Sequence, residues 1–263
     1  MWNGYDFKTV FSFFLKTGWR ARRTKMFFLF SLIPALVLLI IRIVQWLNPE
    51  ASIFSTGMFY RIGVEFYFQL FIQILCLFYG ASVLSDESDH KTLVYLTTSP
   101  VPKATILLAK YAAVYIISMF IISAGLVLSF LISYIDHLSN PTYIQGLLSF
   151  MGIALLAALA YSSLFTILGS LVKKSILFGI IFIFGWESIV QYFPGTTQKL
   201  TINHYIKSLL PFHLSGGGGF LAFRLQPSST AGAIVTLLLL TVLFLSVTTF
   251  IFYKKEYVLS DQA

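Results

Sequence analysis

The segment SDESDHKTLVYLTTSPVPK, residues 85–103, is a long charged interruption between two apolar runs of this chain. Three acidic side chains crowd its first turn: Asp86, Glu87 and Asp89. Acids in that position complement the positive end of a helix dipole, and Pro100 and Pro102 prevent a helix from continuing further. We therefore predict a short, capped, amphipathic helix that joins two membrane spans and is placed to dock another protein.

The composition around this segment is that of a membrane protein. The chain has 263 residues, of which 57% are hydrophobic and 11% are charged, and its mean hydropathy is +0.84. Such a chain has too little polar surface to cover a soluble globule. Because its apolar runs approach the roughly 20 residues that a helix needs to cross a bilayer, we predict an all-α, polytopic membrane protein.

Six transmembrane helices can be placed along the sequence. We predict them at residues 27–46, 64–84, 105–134, 144–171, 176–193 and 231–253. They define a transmembrane domain at 27–253, with the charged segment 85–103 after the second span. Within the fourth span, Ala154, Ala158 and Ser162 form a stripe of small residues, which favours close helix packing inside the chain over a contact between two copies.

The distribution of Lys and Arg gives the orientation. With the N-terminus in the cytosol, 13 of the 18 basic residues fall on the cytosolic side, as the positive-inside rule requires. The remaining five fall on the other side: Arg42, Arg61, Lys199, Lys207 and Arg224. We predict a protein of the cell membrane with both termini in the cytoplasm. The net charge of +8 then reflects topology and contact with membrane lipids, and it does not indicate nucleic acid.

Segments outside the spans also carry patterns. Residues 1–26 contain Phe7, Val10, Phe11 and Phe14 at helical spacing between polar positions, which is typical of an amphipathic helix lying in the membrane plane. The non-cytoplasmic segment 194–230 is too apolar for a solvated loop, so we predict that it re-enters the membrane surface, broken by Pro211 and by four consecutive glycines at 216–219. Residues 254–263 form a cytoplasmic tail.

Ionisable residues are few inside the predicted spans, where each needs a partner or a purpose, and three of them stand out: Arg42, Glu65 and Glu187. Arg42 and Glu65 lie near the same end of consecutive spans, so we predict a structural ion pair or two side chains that reach the interface. Glu187 lies in the fifth span, and a substrate or proton role and a structural hydrogen bond both remain open for it.

If Glu187 lines a polar cavity, other residues of the spans should line the same cavity. Trp186 stands beside Glu187 in the sequence, and Gln69 and Gln73 lie one turn apart on the second span. We predict that these four residues are candidates for a substrate pathway, although the two glutamines could instead bond helix to helix. A functional role predicts that Glu187→Gln impairs transport more than folding.

Catalytic and cofactor motifs are absent from the sequence. The glycines at 216–219 are not followed by the Lys and Ser or Thr of a phosphate-binding loop, and the four histidines show no metal-ligand spacing. We therefore predict no metal site and no enzymatic activity in this chain. The single cysteine, Cys76, lies inside the second span and is interpreted as a packing residue.

The pattern around the charged segment resembles that of ABC-2 exporter membrane subunits. In that family an acidic residue after the second span is followed by Thr, Leu, Leu and Pro and by a Lys at the start of the third span. The matching residues here are Glu87, Thr92, Leu93, Leu96, Pro100 and Lys110, while Lys91 stands where many members have Gly.

The resemblance implies a function and partners. In the family this segment is the coupling helix that docks on a cytosolic ABC ATPase, so Asp86, Glu87, Asp89, Thr92, Leu93, Leu96 and Pro100 are expected to carry ATPase coupling. It further implies a dimer of permease subunits, alternating access, and ATP and Mg²⁺ bound in the partner ATPase. A stand-alone secondary transporter or channel is the alternative, and an inverted repeat would favour it.

Overall fold

A computed structural model describes residues 4–48, 57–89, 101–137, 140–172, 174–190, 196–210 and 228–254. Within these ranges the chain is helical and contains no strand. Among the described residues, five helices are long and apolar enough to cross a membrane: span one Arg22–Leu47, span two Met58–Leu84, span three Lys103–Tyr134, span four Pro141–Leu171 and span six Thr230–Lys254. The predicted all-α, multi-pass class is confirmed.

The fifth predicted span differs from the other five. A shorter apolar helix, Ser175–Val190, occupies its place, and we call it helix five. It contains a π-helical turn, Phe182–Glu187. At about 1.5 Å per residue it extends roughly 24 Å, less than the ~30 Å hydrocarbon core of a bilayer. The predicted count of six membrane-crossing helices is therefore not confirmed.

Span one is interrupted near its middle. One helix, Arg22–Ser31, is followed by a second, Ile33–Leu47, with Pro34 in its first turn. Proline has no backbone N–H and clashes with the preceding turn, so it fits the start of a helix better than its interior. The sequence predicted one uninterrupted helix from residue 27, whereas helical structure begins at Arg22.

Spans two and four form the centre of the bundle. In the most apolar window of each, 78% and 61% of the residues are buried, against 22% in span one and 17% in span six. Their backbones approach closely, because a Cβ atom on Gly80 would lie 2.7 Å from the Ser162 carbonyl oxygen. Ala154, Ala158 and Ser162 are all fully buried. The small-residue stripe is thus internal packing, as predicted.

The N-terminal helix Gly4–Arg20, which we call the elbow helix, packs along span three. The Trp19 and Phe120 rings meet edge to face with centroids 4.7 Å apart, and the Lys110 ammonium lies 5.2 Å from the centre of the Phe14 ring. A Cβ on Gly18 would come within 2.6 Å of Ile117. The predicted N-terminal helix is present, with one side held against the bundle.

Hydrogen bonds fasten the turn between the elbow helix and span one. Thr24, which is buried, donates its hydroxyl hydrogen to the Gly18 carbonyl. The Tyr79 hydroxyl of span two lies 2.6 Å from the same Thr24 oxygen and, because the Thr24 hydrogen is already committed, acts as donor. The Arg23 guanidinium covers the Tyr79 ring at 5.2 Å. Span two is therefore anchored to this turn.

Replacing Tyr79 with Phe tests this anchor. The substitution removes one buried hydrogen bond and keeps the ring, so we expect a loss of about 1 kcal/mol in stability. Thermal unfolding of the purified protein measures it. Tyr253→Phe is the matched control, because the Tyr253 side chain is 76% exposed and its loss is expected to change little. Equal shifts for the two variants would contradict the anchor.

Two short helices follow helix five. A 3₁₀ turn, Thr196–Leu200, leads into Ile202–Leu209, which we call the loop helix. The loop helix ends directly before Leu210 and Pro211, as the sequence predicted for the first break. The glycines at 216–219 lie outside the described residues.

Candidate functional site

Glu187 is the last residue of the π-helical turn in helix five, and only 1% of it is exposed. Its Oε1 atom accepts the backbone N–H of Ile202 at 3.1 Å, and its Oε2 atom accepts that of Asn203 at 3.1 Å. These N–H groups belong to the first turn of the loop helix, where no carbonyl of the same helix can accept them. A carboxylate there also complements the helix dipole. Glu187 thus fixes the start of the loop helix to helix five.

Thr201 completes the capping of this helix end. Its side-chain oxygen accepts the His204 N–H at 3.3 Å, in the arrangement expected of a residue immediately before a helix. Thr201 is 1% exposed and Ile202 is 5% exposed. The first turn of the loop helix is therefore buried, and its backbone donors are met by two side chains from different parts of the fold.

A chain of hydrogen bonds extends from Glu187 into the bundle. The Tyr161 hydroxyl of span four donates to Glu187 Oε2 at 3.2 Å, and the Gln73 amide nitrogen of span two donates to the Tyr161 oxygen at 3.1 Å. All three side chains are at most 2% exposed. We call Gln73, Tyr161 and Glu187 the polar chain. It joins span two, span four, helix five and the loop helix.

The other end of the loop helix is tied to span six. Ser228, just before that span, donates its backbone N–H to the Ser208 hydroxyl oxygen at 3.1 Å. Its own hydroxyl lies 3.1 Å from His204 Nε2, and Ser208 donates to the His204 carbonyl at 2.8 Å. The loop helix is therefore held by helix five at its start and by the approach to span six along its length.

Burial lowers the pKa of two basic side chains in the loop helix, Lys207 and His204. Burial lowers the pKa of Lys207, and the nearby Glu187 carboxylate partly opposes that shift. Burial also lowers the pKa of His204 below its usual value, and the positive charge of Lys199 adds to the effect. The His204 imidazole is consequently neutral at pH 7.

The candidate pathway residues separate into two groups. Glu187 and Gln73 meet through Tyr161, as the polar chain describes. Trp186, by contrast, is 45% exposed, and Gln69 is also exposed, so neither shares that buried site. Gln69 lies in a second π-helical turn, Val64–Phe71. The wider turn changes which residues share a face, so the four-residue spacing did not place both glutamines together.

The structure corrects the predicted Arg42 and Glu65 pair. Arg42 bonds to Asp136, directly after span three, and to the Ile132 carbonyl. The Glu65 carboxylate lies 3.8 Å from Arg61, one turn earlier on the same helix. Consecutive spans were correctly expected to be neighbours, but the rotation of span one turns Arg42 towards span three.

The predicted coupling residues lie at the edge of the described structure. Span two continues without a break into the helix Ile72–Asp89, so Asp86, Glu87 and Asp89 lie in its last turn. The prediction that these acids occupy the first turn of a separate helix, at the positive end of its dipole, was therefore wrong. Their side chains are not described. Thr92, Leu93, Leu96 and Pro100 lie outside the described residues.

Sequence reasoning missed two parts of this site. Tyr161 was not singled out, although a tyrosine among the small residues of span four signals a buried hydroxyl that needs a partner. The first turn of the loop helix was also missed as the partner of Glu187. The Thr201 that precedes this turn is a recognisable helix start and could have indicated it.

Together, the apolar helices and the buried polar chain define a multi-pass membrane protein whose spans are linked by specific hydrogen bonds. Residues 18–186 match the family model described as ABC-2 family transporter protein. The chain therefore belongs to the ABC-2 transporter family. A comparison with curated proteins gives no match. Family membership supports a permease role and association with ABC ATPase partners in general terms.

Proposed function

We propose that this chain is the membrane-spanning permease subunit of an ABC-2 exporter. It moves its substrate by alternating access, and a separate ATPase subunit hydrolyses ATP with Mg²⁺. The observation that carries the proposal is the family match over residues 18–186. The assembly contains two permease copies, identical or homologous, in the cell membrane with both termini in the cytoplasm.

The proposed coupling segment lies at the end of span two. The α-helix Ile72–Asp89 is continuous, so a force on its acidic end would move this part of span two as one rigid body. We assign ATPase docking to this segment. The acids Asp86, Glu87 and Asp89 meet basic residues at the rim of a groove, Leu93 and Leu96 enter the groove, and Thr92 and Pro100 complete the segment. Charge complementarity of this kind sets register and specificity more than affinity.

The polar chain links the helix Ile72–Asp89 to the opposite end of the bundle. Gln73 lies on the same helix as Asp89 and donates to Tyr161, which donates to Glu187. Movement of span two would therefore reach the loop helix through two side-chain hydrogen bonds and the carboxylate of Glu187. In this proposal Glu187 transmits the movement of span two to the loop helix and holds that helix in position. The outward-facing Trp186 and Gln69 are available to a pathway between two permease copies.

The most direct test is purification of the chain from its native cells under mild conditions. We expect a P-loop ATPase to copurify at one copy per permease chain. Native mass spectrometry gives the subunit count and records any bound substrate. A chain that transports in reconstituted vesicles without an ATPase would overturn the proposal and favour a secondary transporter.

Two substitutions test the docking segment within that complex. Glu87→Ala removes a rim charge, and Leu93→Asp places a charge in the apolar groove, so each is expected to uncouple ATP hydrolysis from export. The readout is ATPase activity and export measured on the same vesicles. Glu65→Ala is the control, since this glutamate lies near the other end of span two and 66% of its side chain is exposed. Normal assembly, hydrolysis and export in both variants would reject the docking assignment.

A further inference from the structure

The elbow helix presents a groove on the side that faces away from span three. Its volume is about 500 Å³. Five of the described residues line it: Lys8, Thr9, Ser12, Phe13 and Lys16. Lys8, Ser12 and Lys16 follow each other at intervals of four residues, so they lie along one side of the helix. The two lysines are about 12 Å apart along the helix axis, with Ser12 between them.

The charge of the elbow helix and of the turn that follows it is mainly positive. Residues 4–26 contain one acidic residue, Asp6, and six basic ones: Lys8, Lys16, Arg20, Arg22, Arg23 and Lys25. Lys8 and Lys16 are both exposed. A groove with two ammonium groups and a hydroxyl at its rim is complementary to a phosphate group, which carries negative charge and several acceptor oxygens.

Apolar side chains next to the lysines narrow the choice of ligand. Phe13 lines the same groove and is 62% exposed, and Trp19, one turn beyond Lys16, is 46% exposed. Exposed aromatic rings beside basic residues are typical of a helix that lies at the boundary between headgroups and acyl chains. Span one begins at Arg22, directly after the elbow helix, so the groove is near the membrane surface by connectivity.

We propose that this groove binds the phosphate headgroup of an anionic phospholipid in the cytoplasmic leaflet. Lys8 and Lys16 pair with the phosphate, Ser12 donates to it, and the Phe13 ring lies against the upper part of an acyl chain. The site goes beyond transport itself, because it makes the position of the elbow helix depend on the lipid composition of the membrane. Since the elbow helix packs on span three and is tied to Tyr79 of span two, that dependence reaches the centre of the bundle.

The test compares lipid binding by two double variants of the purified full-length protein. Lys8→Gln/Lys16→Gln removes the charge at the groove and keeps good helix formers. Lys174→Gln/Lys254→Gln is the matched control, because it removes the same charge from two exposed lysines on the same predicted side. Native mass spectrometry during titration with phosphatidylglycerol, and separately with phosphatidylcholine, gives the affinity for each lipid.

We expect the groove variant to bind phosphatidylglycerol roughly thirtyfold more weakly than the unaltered protein, from the loss of two lysine contacts. The control variant and all phosphatidylcholine titrations should be unchanged, and Lys8→Arg/Lys16→Arg should retain binding. Equal loss in both glutamine variants would mean a general charge effect, and no loss in either would place the lipid elsewhere. Loss of a protein partner with lipid binding intact would assign the surface to that partner. Each of these three results would overturn the proposal.

Discussion

Replacing Glu187 with Ala is expected to free the start of the loop helix. The substitution leaves the N–H groups of Ile202 and Asn203 and the Tyr161 hydroxyl without their acceptor in a buried site. Unsatisfied buried donors cost about 1–3 kcal/mol each, and partial rearrangement reduces the sum, so we expect a loss of about 3 kcal/mol. That loss corresponds to roughly hundredfold faster amide exchange in the loop helix.

Hydrogen–deuterium exchange of peptides that cover residues 202–209 measures this effect. Glu187→Gln should fall between Ala and the unaltered protein, because its amide keeps one acceptor oxygen and puts a donor where the second was. Glu65→Ala is the control, and no change in loop-helix exchange is expected. Unchanged protection in Glu187→Ala would show that Glu187 does not hold this helix. Intact protection combined with lost export would instead restore a direct transport role for the carboxylate.

Gly169→Ala is expected to separate spans two and four. A Cβ atom at this position would lie 2.5 Å from the Ala81 carbonyl oxygen and 3.0 Å from the Ala81 Cα. Both atoms belong to backbone, so no side chain can rotate away, and the two helices must move apart. Overpacking of this kind costs about 2 kcal/mol, although glycine to alanine inside a helix is otherwise favourable by about 1 kcal/mol.

Gly152 offers a matched control on the same helix. A Cβ there meets nothing within 4 Å, so Gly152→Ala is expected to leave stability unchanged or raise it by up to about 1 kcal/mol. Unfolding of both variants in mixed micelles, followed by tryptophan fluorescence, gives the comparison. Gly169→Ala should lower stability, whereas Gly152→Ala should not. A stabilised Gly169→Ala protein would show that the close approach is not required.

The positions of most helices could be predicted because hydropathy alone reports burial in a bilayer. The predicted third span, 105–134, and the observed Lys103–Tyr134 share their last residue. Span two begins at Met58 and not at residue 64. The prediction started too late because the first turn contains Arg61. A charged side chain that reaches outwards does not prevent helix formation. The interruption of span one near Leu32 was also missed, although Pro34 marks it.

The candidate site was harder to predict because its contacts depend on how the helices rotate. Burial of Glu187 could be predicted from the cost of placing a carboxylate among apolar residues. Its partners could not, since Tyr161 and Asn203 are brought to it by the packing of three separate elements. The same reason explains Arg42, whose neighbour in space, Asp136, lies 94 positions further along the chain.

The unequal burial of the spans has an evolutionary consequence. In span two, where 78% of the most apolar window is buried, each side chain must fit a neighbour of fixed shape. Span six buries 17% of its window, so within this chain its side chains need only be apolar. Among homologous chains, residue volumes should therefore be kept in span two, while Leu, Ile, Val and Phe should exchange freely over most of span six. A position in span six that keeps the same residue among homologues would mark a contact with another chain.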